Sequence, residues 1–576
     1  MHRPTLRISL ACSCAALLAA CGGERGGAGG AAKADDVPDS LKYGGTATVG
    51  AYADLQSMNA LTSSDNNSGQ VQREVLFMPL VKYNEKIEPT PWLAERWDTV
   101  RVAPDSIDLT FHIRRDVKWH DGKPTTARDV QFTFLRAMDP KTAFPNASNF
   151  EPFYNKRPQL VDDYTIRFRL RPHSDFLDAW YQMPIMPEHV LGKVPPEGLL
   201  NHPFNTQSPV GNGPFRFVRH VANQEWVFEA NREFPRALGG RPYLDRLVYR
   251  NVPEQTTLLT EMLTGRMDVY LSPNPAQTPR IKQTPTLRLN TSPFRQWVYI
   301  AWNSKLPQFR DARVRRALTM AIDRQKIVDA LLFGLADVGR STVTPAHWSY
   351  DPNDPRARLP YDTAGARRLL AEAGWIDRNG DGVLENAEGV PFRFTLETNQ
   401  GNDLRKDMTE VVQAQLKPLG IQVVPRLVEW NTLIARLQKD IGEPKGRDYE
   451  AVLSSWVDYF RKDERDLLYS KNLSRPYQYV QFANPRVDFL IDTTGVMTDR
   501  QAALPFWKEY QHLIVQESPY TVLYYPQRTA AINRRLNGAD MDIRGDFVSV
   551  AKWWLDPPAR RGAPRPAAAP AADSAK

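Results

Sequence analysis

Oxygen-bearing residues recur at fixed spacing in residues 377–388: Asp377, Asn379, Asp381, Glu385 and Glu388 stand at positions 1, 3, 5, 9 and 12, with a carbonyl at Val383 and glycine at position 6. That is the spacing of an EF-hand calcium loop, in which a hard cation collects six to eight oxygens. A helical pattern precedes the loop, but Pro391-Phe392-Arg393-Phe394-Thr395-Leu396 after it reads as a strand and not as an exiting helix. The segment is therefore either a structural Ca2+ site or a metal-free acidic turn, and no other cofactor is required. Catalytic arrangements are missing elsewhere. There is no Gly-x-Ser-x-Gly elbow, His-Glu-x-x-His, P-loop or dinucleotide fingerprint, and Pro214 after Gly211-Asn212-Gly213 removes a phosphate-facing N–H. His112 and His120 flank one hairpin without a third ligand and read as strand and turn residues. Arg310, Arg313, Arg315 and Arg316 share one helix's polar face, which is either solvated or a docking surface.

The three cysteines, Cys12, Cys14 and Cys21, all lie at the N-terminus, so nothing later can form a disulfide or a thiolate metal site. Residues 1–7 are positive and 8–20 apolar, the make-up of a secretory signal too short to span a membrane. Leu18-Ala19-Ala20-Cys21 resembles the bacterial lipobox, which implies removal of residues 1–20 and lipidation of Cys21. The alternative is an ordinary signal peptide with an incidental cysteine. Six glycines in residues 22–30 open a polar tether that runs to residue 42. The tail, 557–576, is rich in Pro, Ala and Arg and reads as disordered. The formal charge of +8 falls to +3 once Arg3, Arg7 and the tail's net three positive charges are removed, too little for a nucleic-acid partner.

The chain's 576 residues allow about three or four domain-sized units at roughly 150 residues each. Ile107, Leu109, Phe111 and Ile113 alternate with polar residues, as do Ile166, Phe168 and Leu170, and each run predicts a half-buried strand. Asp121-Gly122 predicts a tight turn. Thr126 with Asp129, Asp311 and Asp362 predict helix starts, and Gly265 and Gly374 predict helix ends. Strands interleave with helices along the whole body, which argues an α/β protein.

Leu93-Ala94-Glu95-Arg96-Trp97, Phe111-His112-Ile113-Arg114, Val117-Lys118-Trp119-His120-Asp121-Gly122-Lys123-Pro124 and Asp129-Val130 resemble the signature of family 5 extracellular solute-binding proteins. The match continues through Pro209-Val210-Gly211-Asn212-Gly213-Pro214-Phe215, Asn231-Arg232-Glu233-Phe234, Asn303, Arg313-Val314-Arg315-Arg316-Ala317-Leu318 and Ala321-Ile322-Asp323-Arg324. These are the oligopeptide-, dipeptide- and nickel-binding receptors of bacterial ABC importers. The resemblance implies a two-lobed periplasmic-binding-protein fold (type II, Venus flytrap) with a hinge and an extra subdomain in the first lobe. It places lobe I at 43–297, lobe II at 298–520 and a C-terminal return at 521–556, with crossings near 295–303 and 518–526. It also implies a monomeric, lipid-anchored receptor of the cell envelope, facing the periplasm or cell surface, whose partners are a short peptide or other solute and the permease subunits of an ABC transporter.

Within this resemblance Trp456-Val457-Asp458-Tyr459 matches the stretch whose aspartate pairs with a peptide's terminal ammonium, although the spacing departs by one residue and Lys462-Asp463-Glu464 replaces the usual Asp-Pro. A carboxylate facing an ammonium in a water-excluded cleft makes a charge-assisted bond worth about 2 kcal/mol. The alternative is that Trp456 packs and Asp458 caps a turn. Tyr52, Trp297, Tyr299, Trp302, Trp430, Tyr524 and Tyr525 are candidate cleft walls or core residues, and Asn303 joins the candidate ligand site. Three functions follow in order of weight. The first is a peptide receptor, with an oligosaccharide, opine or metal chelate as the alternative solute. A ligand-free surface or chaperone-like protein comes second, and a secreted hydrolase using Asp458 third.

Overall fold

Period-two patterning yields its strands where it predicts them: Ser106–Ile113 and Thr165–Leu170 pair antiparallel with alternate residues buried. The computed structural model describes residues 37–557 except 64, 151, 155–156, 401, 430–431, 434–435, 438–446 and 474–476. Cys21, the expected signal segment, most of the tether and all but the first residue of the tail lie outside the described residues, as does Trp430. Of the N-terminal unit, 1–41, only 37–41 are described, and the rest of this account concerns the second unit, residues 42–576.

A twelve-stranded mixed sheet runs through the body. At one end Thr46–Ala51 lies parallel to Arg246–Asn251 and Val269–Leu271. At the other, Arg393–Asn399 lies parallel to Gln422–Val428 and Ala451–Val457. The long strand Tyr520–Asn533 joins the two ends. Its first half pairs with Gln296–Trp302, and its second half with Val269–Leu271 and Leu287–Pro293. A separate four-stranded antiparallel sheet, Ala94–Ala103, Ser106–Ile113, Thr165–Leu170 and Gln159–Asp162 in spatial order, is covered by the helix Ala127–Met138. Phe134 of that helix packs on Phe168 and Trp180.

The expected helix signals act locally. Thr126 and Asp129 form a reciprocal capping box, with Asp129 Oδ2 accepting from the Thr126 N–H at 2.8 Å. Asp311 caps Ala312–Ala321, Asp362 caps Thr363–Glu372, and Gly374 takes φ +88° just past the end. Gly122 has φ +91° in the hairpin turn. The arginine face departs from expectation at Arg315, which is buried. Its guanidinium donates to the carbonyls of Phe309, Arg310 and Glu517, so it closes the ends of two neighbouring helices instead of facing water. Among the described residues no helix is long and apolar enough to cross a membrane.

Candidate functional site

The carboxyl ends of Thr46–Ala51 and Val269–Leu271 open onto a cavity of about 560 Å3, the crevice where sheets with parallel strands usually hold ligands. Tyr52, Asp65, Gln296, Arg405, Ser455 and Tyr524 contribute to its wall. A second cavity of about 300 Å3 shares Asp65, Asn66, Ser455 and Val457 with the first and extends to Asn146, Trp456, Asp458 and Tyr459. Segments from both ends of the large sheet therefore face each other across one continuous cleft.

Trp456, Asp458, Tyr459 and Tyr52 line this cleft. Tyr52 is 50 % exposed, Trp456 meets Tyr477 edge-on at 5.3 Å, and the Tyr459 hydroxyl donates to Asn146 Oδ1 at 2.6 Å from the opposite wall. Tyr299 and Asn303 do not line it. Side chains alternate along Gln296–Trp302: Gln296 and Val298 point to the cavity, so Trp297 and Tyr299 point away from it. Tyr299 packs between Trp297 and Tyr520 at 4.6 and 4.9 Å. Asn303 is buried with its amide donating to the Tyr449 carbonyl at 2.8 Å, a backbone tie. Trp302 and Tyr525 are also core residues, hydrogen-bonded to Thr521 Oγ1 and the Ser341 carbonyl.

Asp458 does face an ammonium, but an internal one. Lys462 Nζ stands 2.9 Å from Asp458 Oδ2 and 2.9 Å from Glu464 Oε1, and the three side chains are 2, 8 and 1 % exposed respectively. Burial pushes the Asp458 carboxyl up to about 6, against the downward pull of Lys462. Arg295 stacks on Phe460 at 4.1 Å and is tied to the Asp458 backbone, whose N–H donates to the Arg295 carbonyl at 2.7 Å. Its Nη1 returns a bond to the Asp458 carbonyl at 2.9 Å. The expectation that Asp458 offers its carboxylate to a ligand's ammonium is thus corrected, because Lys462, four residues on, already occupies it.

Arg405 was not legible in the sequence. It enters the cleft from the first turn of Asp403–Leu416 and donates to two neutral acceptors, Asn399 Oδ1 and Ser455 Oγ, each at 2.7 Å. It has no carboxylate partner among the described residues, and burial lowers its pKa from the ordinary arginine value. Among the described residues no histidine or cysteine lines either cavity.

The acidic loop lies apart from the cleft. Asp377, Asp381 and Glu385 bring one carboxylate oxygen each within 4.8 Å of one another, and Glu388 stands outside this group. Asp377 accepts from the Gly380 and Gly382 N–H groups at 2.7 and 3.0 Å, Asp381 Oδ1 accepts from the Val383 N–H at 2.8 Å, and Asn379 Nδ2 donates to Glu385 Oε1 at 2.7 Å. As expected, the strand Arg393–Asn399 follows the loop.

The family model for bacterial extracellular solute-binding proteins, family 5, matches residues 88–474. The chain is 32 % identical to the oligopeptide-binding protein AppA of Bacillus subtilis over 546 residues, 94 % of this chain and 96 % of that one. The structure of that protein in complex with a nonapeptide superposes with a TM-score of 0.76, covering 89 % of this chain and 99 % of that chain. The heme-binding protein A of Haemophilus influenzae is 28 % identical over 83 % of this chain and 85 % of its own length. The chain belongs to the family 5 bacterial extracellular solute-binding proteins, and its fold is the two-lobed one of that family.

Proposed function

We propose that the cleft holds a short peptide and that the protein delivers it, as a non-enzymatic receptor, to the permease subunits of an ABC importer. The observation that carries this reading is Arg405, a half-buried cation with neutral partners on the wall of a 560 Å3 cavity, suited to a terminal or side-chain carboxylate. The peptide complex of AppA supports the same ligand class. The lack of histidine and cysteine in the lining weighs against direct metal ligation. Closure would be driven by contacts made only in the closed form, and a hundredfold preference for that form supplies about 2.7 kcal/mol. Ties between residues assigned to the two lobes include Tyr459 to Asn146, the Arg461 N–H to Asp178 Oδ2 at 3.1 Å, the Ser174 N–H to the Gly495 carbonyl at 3.3 Å, and Arg500 to Asp175 at 2.9 Å.

Lipidation of Cys21, a tether to residue 42, and lobes divided near 297 and 520 remain part of this proposal, as does a structural Ca2+ at residues 377–388. The mass of the mature N-terminus tests the lipid. Native mass spectrometry of the protein without residues 1–21, followed by denaturation, tests the ligand. A ladder of short-peptide masses is expected, whereas one defined non-peptide mass would replace the peptide by another solute. Arg405→Met should weaken peptide binding tenfold or more, and unchanged affinity would remove that arginine from the site.

A further inference from the structure

Among the described residues four carboxylates line the two cavities, Asp54, Asp65, Asp458 and Asp546, and three of them are already occupied. Asp54 accepts from Trp226 Nε1 and the Asn223 N–H, both at 2.9 Å. Asp546 is ion-paired with Arg528 and bonded by Gln70 Nε2 at 3.1 Å. Asp458 holds Lys462. Near Asp458 an internal ammonium is already in place, since Lys462 bridges Asp458 and Glu464. A further ammonium at that end would have to displace a buried lysine or leave it unpaired, which is costly in a desolvated site.

Asp65 differs. It lines both cavities, at the junction between them. Its Oδ1 caps the helix Asn66–Val71 by accepting from the Ser68 N–H at 2.8 Å, while its Oδ2 is buried with no hydrogen-bond partner. No cation stands within ion-pairing distance of it among the described residues. A desolvated carboxylate oxygen without a donor is unfavourable until one arrives. Across the same cavity Arg405 is the complementary case, a cation without a carboxylate. The pair presents one unmatched charge of each sign to whatever fills the cleft.

We propose that Asp65, and not Asp458, receives the ammonium of the bound peptide, so that the amine-recognising carboxylate comes from the segment after the first strand and Lys462 keeps Asp458 permanently occupied. This rests on the peptide reading above. The test is competition between a pool of short peptides with free N-termini and the same pool acetylated, with the bound fraction read by mass spectrometry for the wild type, Asp65→Asn and Asp458→Asn. Asparagine caps a helix as well as aspartate does, so Asp65→Asn removes the charge and keeps the cap, and Asp65→Ser is a second capping variant.

The wild type should favour free amines tenfold or more, Asp65→Asn and Asp65→Ser should bind both pools within threefold, and Asp458→Asn should keep the preference. Loss of the preference in Asp458→Asn, its persistence in the Asp65 variants, or its absence from the wild type would each overturn the assignment. A wild type that binds neither pool would overturn the peptide reading itself, and the assignment with it.

Discussion

Replacing Lys462 with methionine removes the single ammonium held 2.9 Å from both Asp458 and Glu464, and leaves two largely buried carboxylates without a cation between them. Breaking a buried ion pair from one side costs about 3–5 kcal/mol. The protein can escape by protonating a carboxyl group, and that route sets the pH dependence. At pH 8 holding a proton on an aspartate whose unfolded pKa is near 3.9 costs about 5.6 kcal/mol, so the full penalty stands, whereas at pH 5 the same proton costs about 1.5 kcal/mol. The variant's stability deficit should therefore be about 3–5 kcal/mol at pH 8 and shrink towards 1.5 kcal/mol at pH 5. The sign follows from a carboxyl pKa raised in the folded state, already about 6 for Asp458 in the wild type, which favours folding at low pH and loses that contribution as pH rises. Urea denaturation followed by tryptophan fluorescence at the two pH values measures it. The triple variant Lys462→Met, Asp458→Asn, Glu464→Gln, with no charge left in the cluster, should recover to within about 2 kcal/mol of the wild type. A deficit below about 1 kcal/mol at pH 8, or one that grows on acidification, would refute a buried, ion-paired Lys462.

Burial holds His120 neutral down to about 4 and His173 down to about 3, so both must take up a proton on unfolding. Each contributes stability above the unfolded histidine pKa near 6.5 that is lost as pH falls towards the folded value, at up to about 1.4 kcal/mol per unit, and His120→Asn should flatten the acid limb of a stability–pH curve. A Cβ at Gly211 would stand 2.0 Å from the Leu76 carbonyl oxygen, so Gly211→Ala should cost about 1–3 kcal/mol in urea melts even though the residue is remote from the cleft wall. At the acidic loop, 10 mM Ca2+ should add about 1–3 kcal/mol for a millimolar-range site, with no gain in Asp377→Ala; an unchanged melt would make the loop a metal-free turn.

Local signals were legible because the forces behind them are local. The capping box at Thr126 and Asp129, the caps at Asp311 and Asp362, and the positive φ of Gly122 and Gly374 each depend on a few neighbouring residues. Strand parity is equally local, yet it does not decide whether Tyr299 is wall or core. Trp297, Tyr299 and Trp302 share one short strand, and alternation tells which residues share a face but not which face meets the ligand. That choice is made by the long strand Tyr520–Asn533, whose pairing with Gln296–Trp302 turns Gln296 and Val298 towards the cavity.

Charge pairing depends on how side chains turn in the folded chain, even between near neighbours, and here the sequence was least informative. Trp456-Val457-Asp458-Tyr459 marks an aspartate at the cleft, and the structure does place it there. What no linear pattern states is that Lys462, four residues on, turns back to occupy it, whereas Asp65, nearly four hundred residues earlier and recognisable only as a helix cap, keeps one oxygen bare. A binding residue is defined by what it lacks in the folded chain, and that follows only from an accounting of every neighbouring donor and cation. By that measure Asp65 and Arg405 are an unmatched carboxylate and an unmatched cation of the cleft among the described residues, one from each end of the twelve-stranded sheet, and a ligand that satisfies both must bridge the two ends. The same two residues would then serve recognition and closure, since neither charge can be neutralised fully until the facing wall and its ligand are in place.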